Sequence, residues 1–332
     1  MKKILNDPNS YADETLAGMC RAYPEIYRLT GSENRVVARA HKGREGKVGV
    51  VSGGGSGHLP VFAGYVGTGL LDACAVGDVF ASPSAEQMAD AIREADAGAG
   101  VLRLYGNYGG DIMNFDMAGD LVELDGIRTT TTLLADDVAS AALPEREKRR
   151  GVAGMVPVFK IAGAAAEAGL DLDRTTAIAG RAADACRSIG VALTPCTVPQ
   201  VGHPTFDLGP DEMEIGMGIH GEPGVERGAL KNANAIADTM LDHLLADMPV
   251  SKGDRVFVLV NSLGATPVEE LFILFQRIAD RLEDRSATIA SRLVGRYATS
   301  MEMTGASLTL MQLDPELEKL LDAPARCAFW QV

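Results

Sequence analysis

Three short stretches carry the residues that could do chemistry: "SGGGSGHLP" (Ser52–Pro60), "GNYGGDIMNFDMAGD" (Gly106–Asp120) and "IGMGIHGEPG" (Ile215–Gly224). Each sets a candidate acid, base or nucleophile among glycines: His58, Asp111 and His220. Glycine permits a positive φ and lets backbone N–H groups come close to a small polar ligand. A neutral imidazole is both a nucleophile and a proton carrier near neutral pH, and a carboxylate just past a strand can take a proton from a hydroxyl. Two glycine-set histidines and one aspartate therefore suit chemistry on the carbonyl and hydroxyl groups of a small molecule.

Two nucleotide motifs come close and fail. The first stretch ends in His58, Leu59 and Pro60, without the Lys and hydroxyl residue that close a phosphate loop. Gly216-x-Gly218-x-x-Gly221 has the spacing of a dinucleotide fingerprint, but Pro223 and Gly224 follow where a helix should open. On purely structural grounds the first run reads as a tight strand-to-helix turn, and Asp111 as a carboxylate at a helix N-terminus. His41, His203 and His243 lie in a charged segment, a loop before proline and an amphipathic helix, and are read as structural or solvent-facing.

The elements that must hold these stretches alternate. Lys47–Gly53, Leu71–Val76, Gly100–Tyr105 and Arg128–Leu134 read as strands, with a helix over Ser84–Gly98 that opens on a Ser cap and closes on glycine. Strand, helix, strand implies a mixed or largely parallel sheet flanked by helices. Arg150–Gly169 and Asp173–Gly190 read as two helices, with Pro157 a kink or break in the first. Val191–Cys196, the stretch around Ile215–His220, Asp254–Gly264, Ser286–Gly295 and Ala306–Leu313 read as further strands. Helices at Leu230–Met248 and Pro267–Asp284 separate them, Thr266 serving as a cap. At 332 residues the chain should form two α/β domains, 1–190 with His58 and Asp111 and 191–332 with His220.

Composition narrows the partners. A net charge of −14 opposes nucleic acid and anionic membranes, and no apolar run reaches the roughly 20 residues of a bilayer span. Without a signal-peptide pattern the expected location is the cytoplasm. Five cysteines with no CxxC pair argue against disulfides or structural zinc, and no metal is expected on this chain.

Taken together, "GGGSGH", "GNYGGDIMNF", "RRGVAGMVPVFKIAGAAAE", "GVALTPCTVP", "DEMEIGMGIHGEPG" and "LGATPVEELF" resemble the substrate-binding K subunit of dihydroxyacetone kinases over almost the whole chain. The resemblance implies a two-domain α/β fold, a homodimer, and a ketose bound covalently through its carbonyl carbon to His220. It gives His58 a substrate contact and a share in proton transfer, and Asp111 the acid/base role at the hydroxyl that is phosphorylated. Gly55, Ser56, Gly57 and Gly106 fall to the substrate-binding set. ATP or ADP with magnesium is expected on a separate L subunit, recharged in one branch by a phosphotransferase-system M subunit. Two positions depart from the family pattern: Leu59 stands where a carboxylate is usual and Gly106 where lysine is frequent. Both changes remove polar groups and would suit a longer ketose such as erythrulose. A ketose-sensing relative that acts through a transcription regulator instead of phosphorylating is the alternative, and retention of both His58 and Asp111 favours the enzyme.

Overall fold

The computed structural model describes residues 2–332 and divides into two compact units. Unit 1 contains the described residues up to Leu134, together with Met155–Ala183 and Lys319–Val332; unit 2 contains Ala135–Gly154 and Asp184–Glu318. The chain thus crosses between units four times, where the sequence suggests one boundary at 190. That boundary falls inside a strand, and Lys319–Val332 return to the first unit.

In chain order unit 1 contains α1 (Tyr11–Ala22), β1 (Tyr27–Thr30), β2 (Val36–Arg39), β3 (Gly49–Ser56), β4 (Ala73–Val79), α2 (Ala85–Ala95), β5 (Val101–Gly106), α3 (Gly109–Glu123), β6 (Thr129–Leu134), α4 (Met155–Glu167) and α5 (Leu172–Asp184). Its strands lie in the order β1-β2-β4-β3-β5-β6. The four from β4 to β6 run parallel because helices or long crossovers return the chain to the same edge. The β1–β2 hairpin and α1 have no counterpart in the sequence reading; the two strands are only four residues long and pair antiparallel at the edge. Helix α2 opens on a full capping box between Ser84 and Gln87 and buries Met88, Ala91, Ile92 and Ala95 on one face against Val51, Val101 and Phe115. Pro157 does not kink α4: it sits in the first turn, where a missing N–H breaks no intrahelical bond.

The C-terminal segment seals unit 1. Arg326 N–H donates to the Thr68 carbonyl (2.9 Å) and Ala328 N–H to the Tyr27 hydroxyl (3.1 Å), while Trp330 meets Tyr65 edge to face. The buried Lys160 donates to the Leu320 carbonyl at 2.7 Å, and burial pulls its ammonium down to about 8.

Unit 2 carries β7 (Cys186–Thr194), β8 (Glu212–Ile215), β9 (Glu226–Ala229), α6 (Ala233–Asp247), β10 (Arg255–Ser262), α7 (Val268–Glu283), β11 (Thr288–Gly295) and β12 (Thr304–Gln312). The sheet order is β11-β10-β12-β7-β8-β9. Only β10 and β11, joined by α7, are parallel; the remaining pairs are antiparallel, so this sheet is mixed rather than largely parallel. Residues 186–190, the end of a helix by sequence pattern, are the start of β7. Cys186–Val191 are all buried in the middle of the sheet, so the strand shows no apolar–polar alternation to read. Thr266 does not cap α7; its hydroxyl donates to the Gly305 carbonyl and accepts from Gly305 N–H, and Pro267 takes the cap position.

Candidate active site

In unit 1 the carboxyl ends of β3, β4 and β5 share one edge of the sheet, the edge where open α/β sheets bind ligands. Gly55, Ser56, Gly57 and His58 leave β3 there, and Gly106 ends β5. Asp111 lies in the first turn of α3, only 5% exposed, at the positive end of the helix. His58 is 1% exposed.

The glycines of "GGGSGH" do something other than the sequence suggests. The strand runs straight through Gly53–Gly55, and of this run only Gly57 has a positive φ, +98°. Beyond His58 the chain enters a turn and a 3-10 segment, not an α-helix. The glycines instead leave room for aromatic neighbours. A Cβ on Gly53 would lie 3.2 Å from the Phe115 ring, on Gly54 2.3 Å from the Phe62 ring, and on Gly55 2.9 Å from the Phe80 backbone. Gly54→Ala is therefore expected to destabilise the protein by about 1–3 kcal/mol, the usual cost of overpacking a core. Gly18→Ala, with nothing within 4 Å on the exposed face of α1, should stabilise by about 0.5–1 kcal/mol. Denaturant unfolding of the two variants checks the contrast; equal midpoints would show that the Phe62 ring can swing aside.

In unit 2 the loop after β8 presents His220. Gly221 N–H donates to the Gly218 carbonyl to close a turn, and Gly216 and Gly221 both have positive φ, +83° and +87°. Sequence reasoning missed the partner two residues on: His220 Nδ1 lies 2.9 Å from Glu222 Oε1, and His220 backbone N–H donates to Glu222 Oε2 at 2.9 Å. Burial works to raise the Glu222 carboxyl, but the His220 hydrogen bond and charge outweigh it and hold it down at about 2. An ionised carboxylate only accepts, so in the neutral form of the ring the hydrogen sits on Nδ1 and the lone pair on Nε2, whereas the charged ring carries hydrogen on both. Arg150 lies beneath this pair, 3.7 Å from Glu222 Oε2, donating to Asp137 Oδ2 (2.9 Å) and the Gly216 carbonyl (3.1 Å). A Cβ on Gly218 would lie 2.1 Å from Glu222 Oε2 and 2.4 Å from Arg150 Nη1. The glycines around His220 thus admit the carboxylate and guanidinium that orient it. The adjacent "HGE" in the sequence was the available signal.

The structure brings His58, Gly55, Ser56, Gly57, Gly106 and Asp111 to one edge of unit 1, and His220 belongs to unit 2. His41, His203 and His243 are exposed. Burial pushes the thiols of Cys20 and Cys327 up to about 11 and those of Cys74 and Cys186 up as well, which leaves little thiolate. Among the described residues no three His, Cys, Asp or Glu side chains gather as a metal site, and no helix is long and apolar enough to cross a membrane.

Comparison with known proteins gives a consistent picture. A Dak1 domain model matches residues 17–329. The chain is 45% identical to the PTS-dependent dihydroxyacetone kinase 1, dihydroxyacetone-binding subunit DhaK, of Listeria innocua, over 95% of each chain. It is also 45% identical to the D-erythrulose kinase of Mycolicibacterium smegmatis, over 98% of this chain and 56% of that one. Among solved structures, the dihydroxyacetone kinase of C. freundii matches with a TM-score of 0.90 at 33% identity, over 99% of this chain and 60% of that one. This chain therefore spans nearly the whole of the Listeria subunit and somewhat over half of the two longer kinases.

Proposed function

Because this chain belongs to the Dak1 domain family, we propose that it is the ketose-binding subunit of a kinase, holding dihydroxyacetone or a related short ketose on His220 while a separate L-type subunit supplies the phosphoryl group. The observation that supports capture at His220 is the 2.9 Å contact of Nδ1 with the Glu222 carboxylate, which in the neutral ring accepts the Nδ1 hydrogen bond and leaves Nε2 as the nitrogen whose lone pair can meet the carbonyl carbon. In the step, a C–N bond forms, the carbonyl π pair moves onto oxygen, and that oxygen takes a proton from solvent water, which leaves hydroxide to be neutralised by the buffer. The positive charge left on the ring lies against the Glu222 carboxylate. Glycerol has no carbonyl and cannot make this bond, so one covalent contact selects ketose over polyol.

Capture also fixes the terminal hydroxyl as an oriented nucleophile. Asp111 accepts its proton as the hydroxyl oxygen bonds to phosphorus and the phosphoryl group leaves its donor oxygen, with His58 assisting from the same sheet edge as Asp111. The Leu59 and Gly106 departures leave the ketose open between three and four carbons, and the similarity to both a dihydroxyacetone-binding subunit and an erythrulose kinase agrees with that range. ATP or ADP with magnesium belongs in this reading to the L subunit, with a phosphotransferase-system M subunit as the recharging partner in one branch, and the K subunit pairs as a homodimer.

The test is to combine the purified chain with the nucleotide-binding L subunit of a dihydroxyacetone kinase, ATP and magnesium, offering dihydroxyacetone, erythrulose or glycerol. The expected products are ketose phosphates without glycerol phosphate. Equal phosphorylation of glycerol would remove carbonyl capture as the source of selection, and tight ketose binding without transfer would favour the sensing role.

A further inference from the structure

The imidazole of His58 is enclosed by two aromatic rings whose backbones are in an unfavourable conformation. Phe80 stacks on it, with ring centroids 4.8 Å apart and planes inclined by 21°, and Phe62 meets it edge to face at 5.9 Å and 73°. Phe80 has φ +59° and Phe62 φ +72° with ψ −110°, regions that a bulky L-residue rarely enters and that glycine or asparagine tolerates better. Such strain persists only where the surroundings hold it, and it clusters at functional sites.

The surroundings here are built for it. The β3–β4 register jumps from Gly55 opposite Gly77 to Ser56 opposite Val79, leaving Asp78 as a bulge that redirects the end of β4. Phe80 N–H then donates to the Ser56 carbonyl at 3.1 Å, and the Ser56 hydroxyl to the Gly77 carbonyl at 2.9 Å. Gly54 and Gly55 have no side chain where the Phe62 ring and the Phe80 backbone come against β3. Two glycines, a bulge and two left-handed aromatics thus converge on one imidazole.

We propose that Phe80, supported by Phe62, is a positioning residue for His58: the stacked ring fixes the plane of the imidazole so that its nitrogen edge, not its face, meets the ketose. This rests on the assignment of His58 to the ketose site under the proposed function. The two rings restrict rotation about the His58 side-chain bonds, which is the kind of preorganisation whose loss costs turnover more than binding.

The experiment uses Phe80→Asn, which suits a left-handed backbone but deletes the ring, and Phe80→Tyr, which retains it. Each is made in the parent and in a His58→Ala background, and assayed with the L subunit, ATP–magnesium and dihydroxyacetone. Phe80→Asn should lower kcat by about 10–100-fold with KM changed less than about threefold, Phe80→Tyr should restore most of kcat, and Phe80→Asn should cost under about twofold when His58 is already absent. The His58 ring-proton resonance, assigned by its loss in His58→Ala, should move when Phe80 becomes Asn. Full kcat in Phe80→Asn, or an equal loss in both backgrounds, overturns the proposal. If His58→Ala itself keeps full turnover, the role given to His58 has failed instead, and an unmoved resonance then overturns the ring contact as well.

Discussion

Asp111→Asn is expected to lower turnover by about 10²–10⁴-fold, the range a positioned general base contributes, while ketose binding is largely retained. The substitution preserves volume and hydrogen-bonding capacity in the first turn of α3, where the side chain is nearly buried. An amide cannot accept the hydroxyl proton, so the loss falls on kcat. Steady-state kinetics with the L subunit, alongside calorimetric titration with dihydroxyacetone, separates the two effects. Near-parental kcat in the Asn variant would place the base elsewhere.

The second large effect is expected from His220→Ala. Without the imidazole the carbon–nitrogen bond cannot form, and preference for ketose over glycerol should drop to roughly 10–200-fold or below, the range that packing against one small group supplies. Some turnover should survive, because Asp111 and the donor are untouched. A ligand-soaked crystal of the parent should show continuous density between Nε2 and the ketose, and separate density in the variant would be the control. Glu222→Gln should weaken capture less, by removing the charge that balances the ring while leaving a group to accept from Nδ1. Because the Glu222 carboxyl is held below its ordinary 4.5 at about 2, its stabilising effect is complete above roughly pH 4.5, declines as pH falls below that and is gone once pH has fallen through about 2. The His220–Glu222 pair should therefore outlast acidification that protonates ordinary carboxylates.

How much of this was legible in the sequence depends on how local each feature is. His58, Asp111 and His220 each sit in a short, unusual motif, and the strands and helices that carry them follow from apolar runs and caps such as Ser84. The packing role of Gly53–Gly55 was not legible, because it depends on Phe62, Phe80 and Phe115, whose rings and backbone reach β3 only through the fold. Glu222 was in plain view beside His220, yet its importance rests on a 2.9 Å contact that only the loop geometry creates. The start of β7 was hidden because a strand buried on both faces has no period of two, and the cap role of Thr266 fails because Gly305 competes for its hydroxyl. The four crossings between units are a property of long-range contacts that no linker composition announces.

The return of Lys319–Val332 to unit 1 bears on how the molecule is made. These residues leave the ribosome after everything they close over, so the Thr68 carbonyl and the Lys160 ammonium must wait for their partners until translation has passed them. During that interval the nascent first unit has its sheet but not its seal, and a premature stop near residue 318 should yield a chain that chaperones and proteases treat as unfinished.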